Sequence, residues 1–211
     1  MPTIAILPVK SFSTAKQRLR DGLDPAQRED LALAMFSDVL SSLGLVPEVQ
    51  IIVVTASAAA RALALEQDAR VVQDRETGHN AAAVLGIEEA INRGADRVLL
   101  VPGDCPALAP AEVRTLLSRP LPPRSVTIVP DRHGAGTNAL LIRPPDALAP
   151  AFGPGSCRRH LDLARSAGLH AEIVEVPSLA LDIDTAEDLD ALGNLPRGPA
   201  TDRFLSQLAQ C

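Results

Sequence analysis

Short apolar runs rich in Val and Ile alternate with longer segments of helical period along most of this chain, and that alternation constrains the fold more than any other feature. The runs Thr3–Val9 (TIAILPV), Val49–Thr55 (VQIIVVT), Arg70–Val72, Val98–Pro102 (VLLVP), Val126–Val129 and Ala139–Ile142 read as strands, and Ala171–Val176 as extended. Helical patterns begin at Pro25 and cover Ser57–Gln67, Asn80–Asn92, Pro110–Ser118, Ser156–Ala167 and Ala186–Leu192, with a further stretch over Asp202–Ala209. Asp24 is placed to cap the first helix, with Pro25 at its first position and Gln27 at its third. Leu31, Met35, Val39 and Leu43 then recur at the spacing of one buried face. Apolar strands interleaved with helices predict an α/β fold, a three-layer α/β/α sandwich around a mainly parallel sheet. Such sheets bind ligands beyond the carboxyl ends of their strands. The length of 211 residues suits one domain over 1–211, with a Pro- and Gly-punctuated C-terminal tail over about 193–211.

Composition removes several function classes. Twenty Lys and Arg against 26 Asp and Glu leave a formal charge of 20 − 26 = −6, where a nucleic-acid binder would carry a basic stripe. Four Phe, no Trp and no Tyr provide no platform on which bases could stack. No apolar run approaches the length that spans a bilayer, and MPTIAILPVK is too short for a secretory signal. The cysteines Cys105, Cys157 and Cys211 form no CxxC and no metal-ligand spacing, so a reducing, cytoplasmic setting is expected. No P-loop and no G-x-G-x-x-G follows a strand.

Five constellations carry chemistry. In Pro8-Val9-Lys10-Ser-Phe-Ser-Thr-Ala-Lys16-Gln-Arg18, three cations follow a buried strand, a mixture suited to polyphosphate or to an ordinary solvated loop. Gly103-Asp104 ends VLLVP, which puts a carboxylate at the mouth of the fold; Gly103 permits a tight turn there, and the ordinary alternative is a turn-capping Asp. In Leu181-Asp182-Ile183-Asp184-Thr185, alternation sends Asp182 and Asp184 to one side and Ile183 to the core. Paired carboxylates repel unless a cation lies between them, and Mg²⁺ takes such ligands together with phosphate oxygens. Thr185 with Asp188 explains the start of a helix without explaining that pair. Asp131–Leu140 (DRHGAGTNAL) is a glycine-containing loop able to approach a ligand. Phe152-Gly153-Pro154-Gly155-Ser156 opens a helix, where unpaired N–H groups suit a phosphate, although Ser156 is also a favoured N-cap. His79 and His133 fall in candidate loops, His160 and His170 read as surface positions, and Cys105 reads as packing.

Taken in order, PVKSFSTAKQRL, PGDCP, PDRHGAGTNALL, FGPGSCRRH and LDIDTAEDL resemble the CofC/FbiD-type guanylyltransferases of coenzyme F-420 biosynthesis. The resemblance implies a MobA-like fold of the nucleotide-diphospho-sugar transferase type. It implies transfer of GMP from GTP to a phosphorylated three-carbon acid, phosphoenolpyruvate or 2-phospho-L-lactate, with 3-phospho-D-glycerate as the alternative. Carried across by position, Asp104, Asp182 and Asp184 are the metal ligands, for Mg²⁺ as two ions, and Asp104, Lys16 and Asp184 the catalytic set. Thr137, Gly153 and Ser156 contact the phospho-acid. Pro8, Val9, Lys10, Lys16, Arg18, Gly78 and Asn80 fall on the nucleotide side, with Lys16 and Arg18 on the departing pyrophosphate. The family's G-L-N segment reads Gly78-His79-Asn80 here. Other nucleotidyltransferases of this fold open on a glycine-rich L-x-G-G-x-S-x-R-M loop, which PVKSFSTAKQRL is not; a non-catalytic nucleotide-binding protein is the reading from a different class. The sequence does not set the oligomeric state, and a homodimer is an open expectation.

Overall fold

A computed structural model describes residues 2–12, 15–193 and 195–210. Seven strands form one sheet: β1 (Thr3–Val9), β2 (Val49–Thr55), β3 (Arg70–Gln73), β4 (Arg97–Leu100), β5 (Ser125–Pro130), β6 (Thr137–Arg143) and β7 (His170–Ile173), in the order β3-β2-β1-β4-β6-β5-β7. All are parallel except β6, which runs antiparallel to both β4 and β5. The reason lies in the β5–β6 connection: six residues close a hairpin but cannot carry a crossover.

Alternation within the strands sends side chains to two cores. Ala5, Leu7, Val53, Leu99 and Leu141 meet α1 (Pro25–Gly44), α2 (Ala58–Glu66) and α4 (Pro110–Ser118), whereas Ile4, Ile6, Ile52, Val98 and Leu140 meet α3 (His79–Asn92) and α5 (Ser156–Ser166). The expected sandwich is therefore present. Leu31, Met35, Val39 and Leu43 are all fully buried on α1, as their spacing predicts. Asp24 and Gln27 form the reciprocal capping box, with both bonds 2.9 Å long. On α3, a Cβ at Gly86 would collide with Ile6, so the glycine is what lets this helix lie against β1.

The short helices α6 (Pro177–Ala180), α7 (Ala186–Leu192) and α8 (Pro199–Leu208) complete the chain; α6 carries no sequence signal that separates it from a loop. A third apolar cluster joins Leu19, Leu23, Leu31, Met35, Leu181, Ile183 and Leu192, with Phe204 and Leu205 of α8 packed against it. It fixes the loop after β1 and the segment before α7 against one helix, which is what brings distant charges together. The Asp38 carboxylate accepts from the Ala200 and Thr201 N–H groups at 2.9 and 2.7 Å and so ties the start of α8 to α1. Among the described residues, no helix is long and apolar enough to cross a membrane. Cys105 and Cys157 are buried and free; Cys211 lies outside the described residues.

Candidate active site

Strand order places a switch point between β1 and β4: from β1 the chain moves outward to β2 and β3, then returns to the other side of β1. A cleft of ≈ 410 Å³ opens at the carboxyl ends of these two strands, lined among others by Pro8, Val9, Lys10, Lys16, His79, Gly103, Asp104 and Asp184. Another hollow of ≈ 390 Å³ lies at the opposite end, near Glu48 and Arg97 where β2 and β4 begin, and holds none of the candidate residues.

Lys16 adopts the left-handed conformation (φ 53°) just before a 3-10 turn over Gln17–Leu19, whose Leu19 is buried in the third cluster. A non-glycine residue with positive φ is uncommon and tends to mark function. Here it sends the side chain inward, where Nζ donates to Asp104 Oδ2 at 2.6 Å and Asp184 Oδ1 at 3.0 Å. The Lys16 side chain is 6% exposed, against 29% for Asp104 and 48% for Asp184. Burial alone would lower its pKa; the two carboxylates outweigh that and hold the ammonium above the ordinary lysine value.

The carboxylates are themselves positioned by backbone. The Val101 N–H donates to Ile6 O at 3.0 Å and extends the β1–β4 pairing toward the turn, and the Ile183 N–H donates to Asp104 O at 3.1 Å. Ile183 is fully buried between two half-buried aspartates, as alternation predicts. The Asp188 carboxylate accepts from the Asp184 and Thr185 N–H groups at 3.0 and 2.8 Å, so the capping box is real and also anchors Asp184. Asp182 is held separately: Asn138 Nδ2 donates to its Oδ1 at 3.2 Å and to Leu179 O at 2.7 Å. Burial pushes the Asp182 carboxyl above the usual range, and the negative charge of Asp104 adds to this. Cys105 beside it is fully buried, with its thiol raised well above the ordinary value by burial first and the surrounding carboxylates second; it is packing.

The cation between Asp104 and Asp184 is thus a lysine, and among the described residues no three His, Cys, Asp or Glu side chains are gathered into a metal-ready group. Asp104 and Asp184 nonetheless fit a hard cation. Mg²⁺ uses one or two carboxylates completed by phosphate oxygens and water, not an all-protein cage.

The second half of the site is built from neutral groups. Thr137 and Asn138, at the start of β6, line a small cavity of ≈ 30 Å³ that shares Pro8, His79 and Pro102 with the cleft and is closed by Phe152. The Phe152 N–H donates to Asn80 Oδ1 at 2.7 Å, and Asn80 Nδ2 donates back to Phe152 O at 3.2 Å. The Phe152 ring meets His79 and His160 edge-on, each with centroids 5.2 Å apart. Burial lowers the pKa of His79, and Lys10 adds to that shift against Asp104 and Asp74. Asn80 thus ties the Gly78–Asn80 segment to the loop before α5. Arg18 stands on the exposed side of the 3-10 turn, outside the cleft lining, whereas Lys10 is exposed but lines it.

Several expectations are corrected. His160 is not at the surface: it is fully buried, 3.0 Å from Thr137 Oγ1 through Nδ1, and its Nε2 accepts from the Ala151 N–H at 2.9 Å. Its spacing from Cys157 and Ala164, both buried, was the available signal. Ser156 is not the N-cap of α5; Gly155 is, with φ 70°, and Ser156 begins the helix with its N–H given to Gly153 O at 3.0 Å. Gly153 has φ 126°, a conformation that favours glycine. Gly103 shows no positive φ; its Cβ would stand 3.2 Å from the Phe36 ring, so close packing and not turn geometry calls for glycine. In the 131–136 loop, Asp131 accepts from the His133, Ala135 and Gly136 N–H groups at 2.9 to 3.2 Å, so those donors serve the loop itself.

A family model described as "Guanylyl transferase CofC like" matches residues 3–209. A phosphoenolpyruvate guanylyltransferase of Conexibacter woesei is 50% identical over 92% of this chain and 89% of its own. One from Sphaerobacter thermophilus is 41% identical over 96% and 98%, and a 3-phospho-D-glycerate guanylyltransferase of Colwellia psychrerythraea is 34% identical over 92% and 93%. Among solved structures, one described as a nucleotide-diphospho-sugar transferase from Desulfovibrio desulfuricans superposes with a TM-score of 0.76 at 16% identity, covering 100% of this chain and 98% of that one. Glucosyl-3-phosphoglycerate synthase from Mycobacterium tuberculosis, in complex with Mn²⁺, uridine diphosphate and glucosyl-3-phosphoglycerate, superposes at 0.57 and 14% identity, covering 99% and 79%.

Proposed function

Since the chain belongs to the CofC-like guanylyl transferase family, we propose that it joins the guanylyl group of GTP to phosphoenolpyruvate and releases pyrophosphate, as a step of coenzyme F-420 biosynthesis. The observation that carries this reading is the Asp104–Lys16–Asp184 bridge at the mouth of the β1–β4 cleft. Relatives at 50% and 41% identity bearing that name support the choice of acid.

The acid's own phosphate is the nucleophile. Its second pKa is about 6, so it is dianionic at neutral pH and needs no general base. One of its oxygens bonds to the α-phosphorus of GTP as the bond from that phosphorus to the bridging oxygen breaks, and pyrophosphate leaves with the electron pair. The difficulty is assembling anions, and the chain's residues address it by charge and position. Asp104 and Asp184, with Asp182 behind them, would hold Mg²⁺, as one or two ions; when bound, the metal neutralises charge on the α-phosphate. The Mn²⁺ and nucleotide in a protein of this fold support such use of the cleft. Lys16 stands where its ammonium can pass from the carboxylates to a leaving phosphate oxygen, and Lys10 adds charge at the rim. Thr137, Gly153 and Ser156 receive the acid beside the smaller cavity.

Pyrophosphate release with GTP and Mg²⁺, run side by side with phosphoenolpyruvate, 2-phospho-L-lactate and 3-phospho-D-glycerate, tests the proposal. The highest kcat/KM is expected with phosphoenolpyruvate; release with none of the three overturns the reading.

A further inference from the structure

The buried imidazole of His160 has no place in the chemistry above, yet both of its nitrogens are engaged. Nε2 lies 2.9 Å from the Ala151 backbone nitrogen, and a backbone N–H can only donate. Nε2 must therefore carry a lone pair. In a neutral ring the proton is then on Nδ1, and Nδ1 is 3.0 Å from Thr137 Oγ1. The direction of that bond follows: His160 donates and Thr137 accepts. A hydroxyl that accepts from a ring nitrogen keeps its own proton free to donate elsewhere, and Thr137 lines the small cavity beside the cleft.

The ring is held neutral. Burial drops its pKa to about 4, and the nearby Arg159 charge adds to the shift. Arg159 itself donates to Ala151 O at 2.8 Å and Pro154 O at 2.6 Å, so the loop that supplies the Ala151 N–H is fixed from both sides. Phe152, clamped by Asn80, covers the ring edge-on.

We propose that His160 is a positioning residue for the acceptor: its Nδ1–H, fixed in that tautomer by the Ala151 N–H, commits Thr137 Oγ1 as an acceptor and turns the threonine hydroxyl proton toward an oxygen of the incoming phospho-acid. The reaction then uses a threonine hydroxyl as donor, with its orientation set by a group that never touches substrate. This inference rests on the placement of Thr137 against the acid.

Two substitutions separate the two nitrogens. In His160→Asn the amide can replace the Nδ1 donor, whereas in His160→Gln it reaches the Nε2 position, keeping the Ala151 bond and losing the donation to Thr137. We expect His160→Gln to raise the KM of phosphoenolpyruvate on the order of ten-fold, with the KM of GTP unchanged, since one oriented hydrogen bond is lost. His160→Asn should retain most of the acid affinity. Thr137→Val should raise the same KM, and adding His160→Gln to it should do nothing further. If Thr137→Val raises the acid KM and His160→Gln does not, His160 is only packing and the inference fails while the reading of Thr137 stands. If Thr137→Val leaves the acid KM unchanged, both fail. The wild-type protein supplies a check that no folding defect can obscure. Nitrogen-15 NMR of its histidine rings at neutral pH should show His160 protonated at Nδ1 alone, and a proton on Nε2 overturns the proposal.

Discussion

The two ends of the site are built on opposite principles. At the β1–β4 end, a buried ammonium balances two carboxylates that belong to loops 88 and 168 residues away from it in sequence. At the β6–α5 end, the side-chain groups that meet are neutral: Thr137, His160, Phe152 and Asn80, joined by hydrogen bonds and ring edges. The first arrangement suits a polyphosphate, whose charge must be matched. The second suits the recognition of a small acid by shape and by a few oriented donors. In the proposed reaction the two anions approach from these two ends, so damage to one should be separable from damage to the other.

The largest effect should come from the charged end. Asp184→Asn and Asp104→Asn should each reduce kcat by roughly 10²–10³-fold with the far-ultraviolet circular dichroism unchanged, and a chelator should abolish turnover until Mg²⁺ is restored. Near wild-type kcat in both variants would remove the carboxylates from the chemistry. Lys16→Met should cut kcat/KM for GTP by ~10²-fold. Its effect on stability should be small, about 1 kcal/mol or less, because Asp104 and Asp184 are 29% and 48% exposed and water can take over from the ammonium. A large loss of melting temperature would mean that the bridge is structural first.

The neutral end should show itself in pH dependence. His160 has its pKa lowered to about 4 in the folded protein, whereas the unfolded chain titrates near 6.5. Between these values the unfolded state binds the extra proton, so stability falls as pH drops through this window. The loss from this one group amounts to about 3 kcal/mol by pH 4. Urea titrations should show His160→Gln losing less stability than wild type between pH 6.5 and pH 4; equal losses would place the imidazole in contact with water. A smaller effect is expected for Asn80→Ala, which removes both bonds to Phe152. The acid KM should rise several-fold, roughly 3- to 10-fold, with the GTP KM held. A rise in the GTP KM instead would keep Asn80 on the nucleotide side, where the family resemblance puts it.

This contrast also explains what was legible in the sequence. Strands, helix caps and the covered sheet follow from local pattern, and Asp24, Thr185 and the buried stripe of α1 were readable because each depends on neighbours within four residues. Asp104 was readable because a carboxylate just past a strand end stands out from its apolar context, and Asp182 and Asp184 because alternation in an extended run sets them on the side opposite Ile183. The Lys16 bridge was not: its cation and carboxylates converge only when the third apolar cluster packs. His160 was missed for a different reason, since a histidine among arginines on a helix looks solvated until Cys157 and Ala164 are recognised as marking the inner face. The antiparallel β6 was implicit in the short β5–β6 loop, whose length admits only a hairpin.

In the proposed reaction an oxygen of the acid's phosphate attacks the α-phosphorus of GTP. Phosphoenolpyruvate carrying oxygen-18 in its phosphate group tests it directly, with the products separated and read by mass spectrometry. All the label should appear in the diphosphate that joins the acid to guanosine, and none in pyrophosphate. Label in pyrophosphate, or pyrophosphate released without a labelled diphosphate, would contradict it.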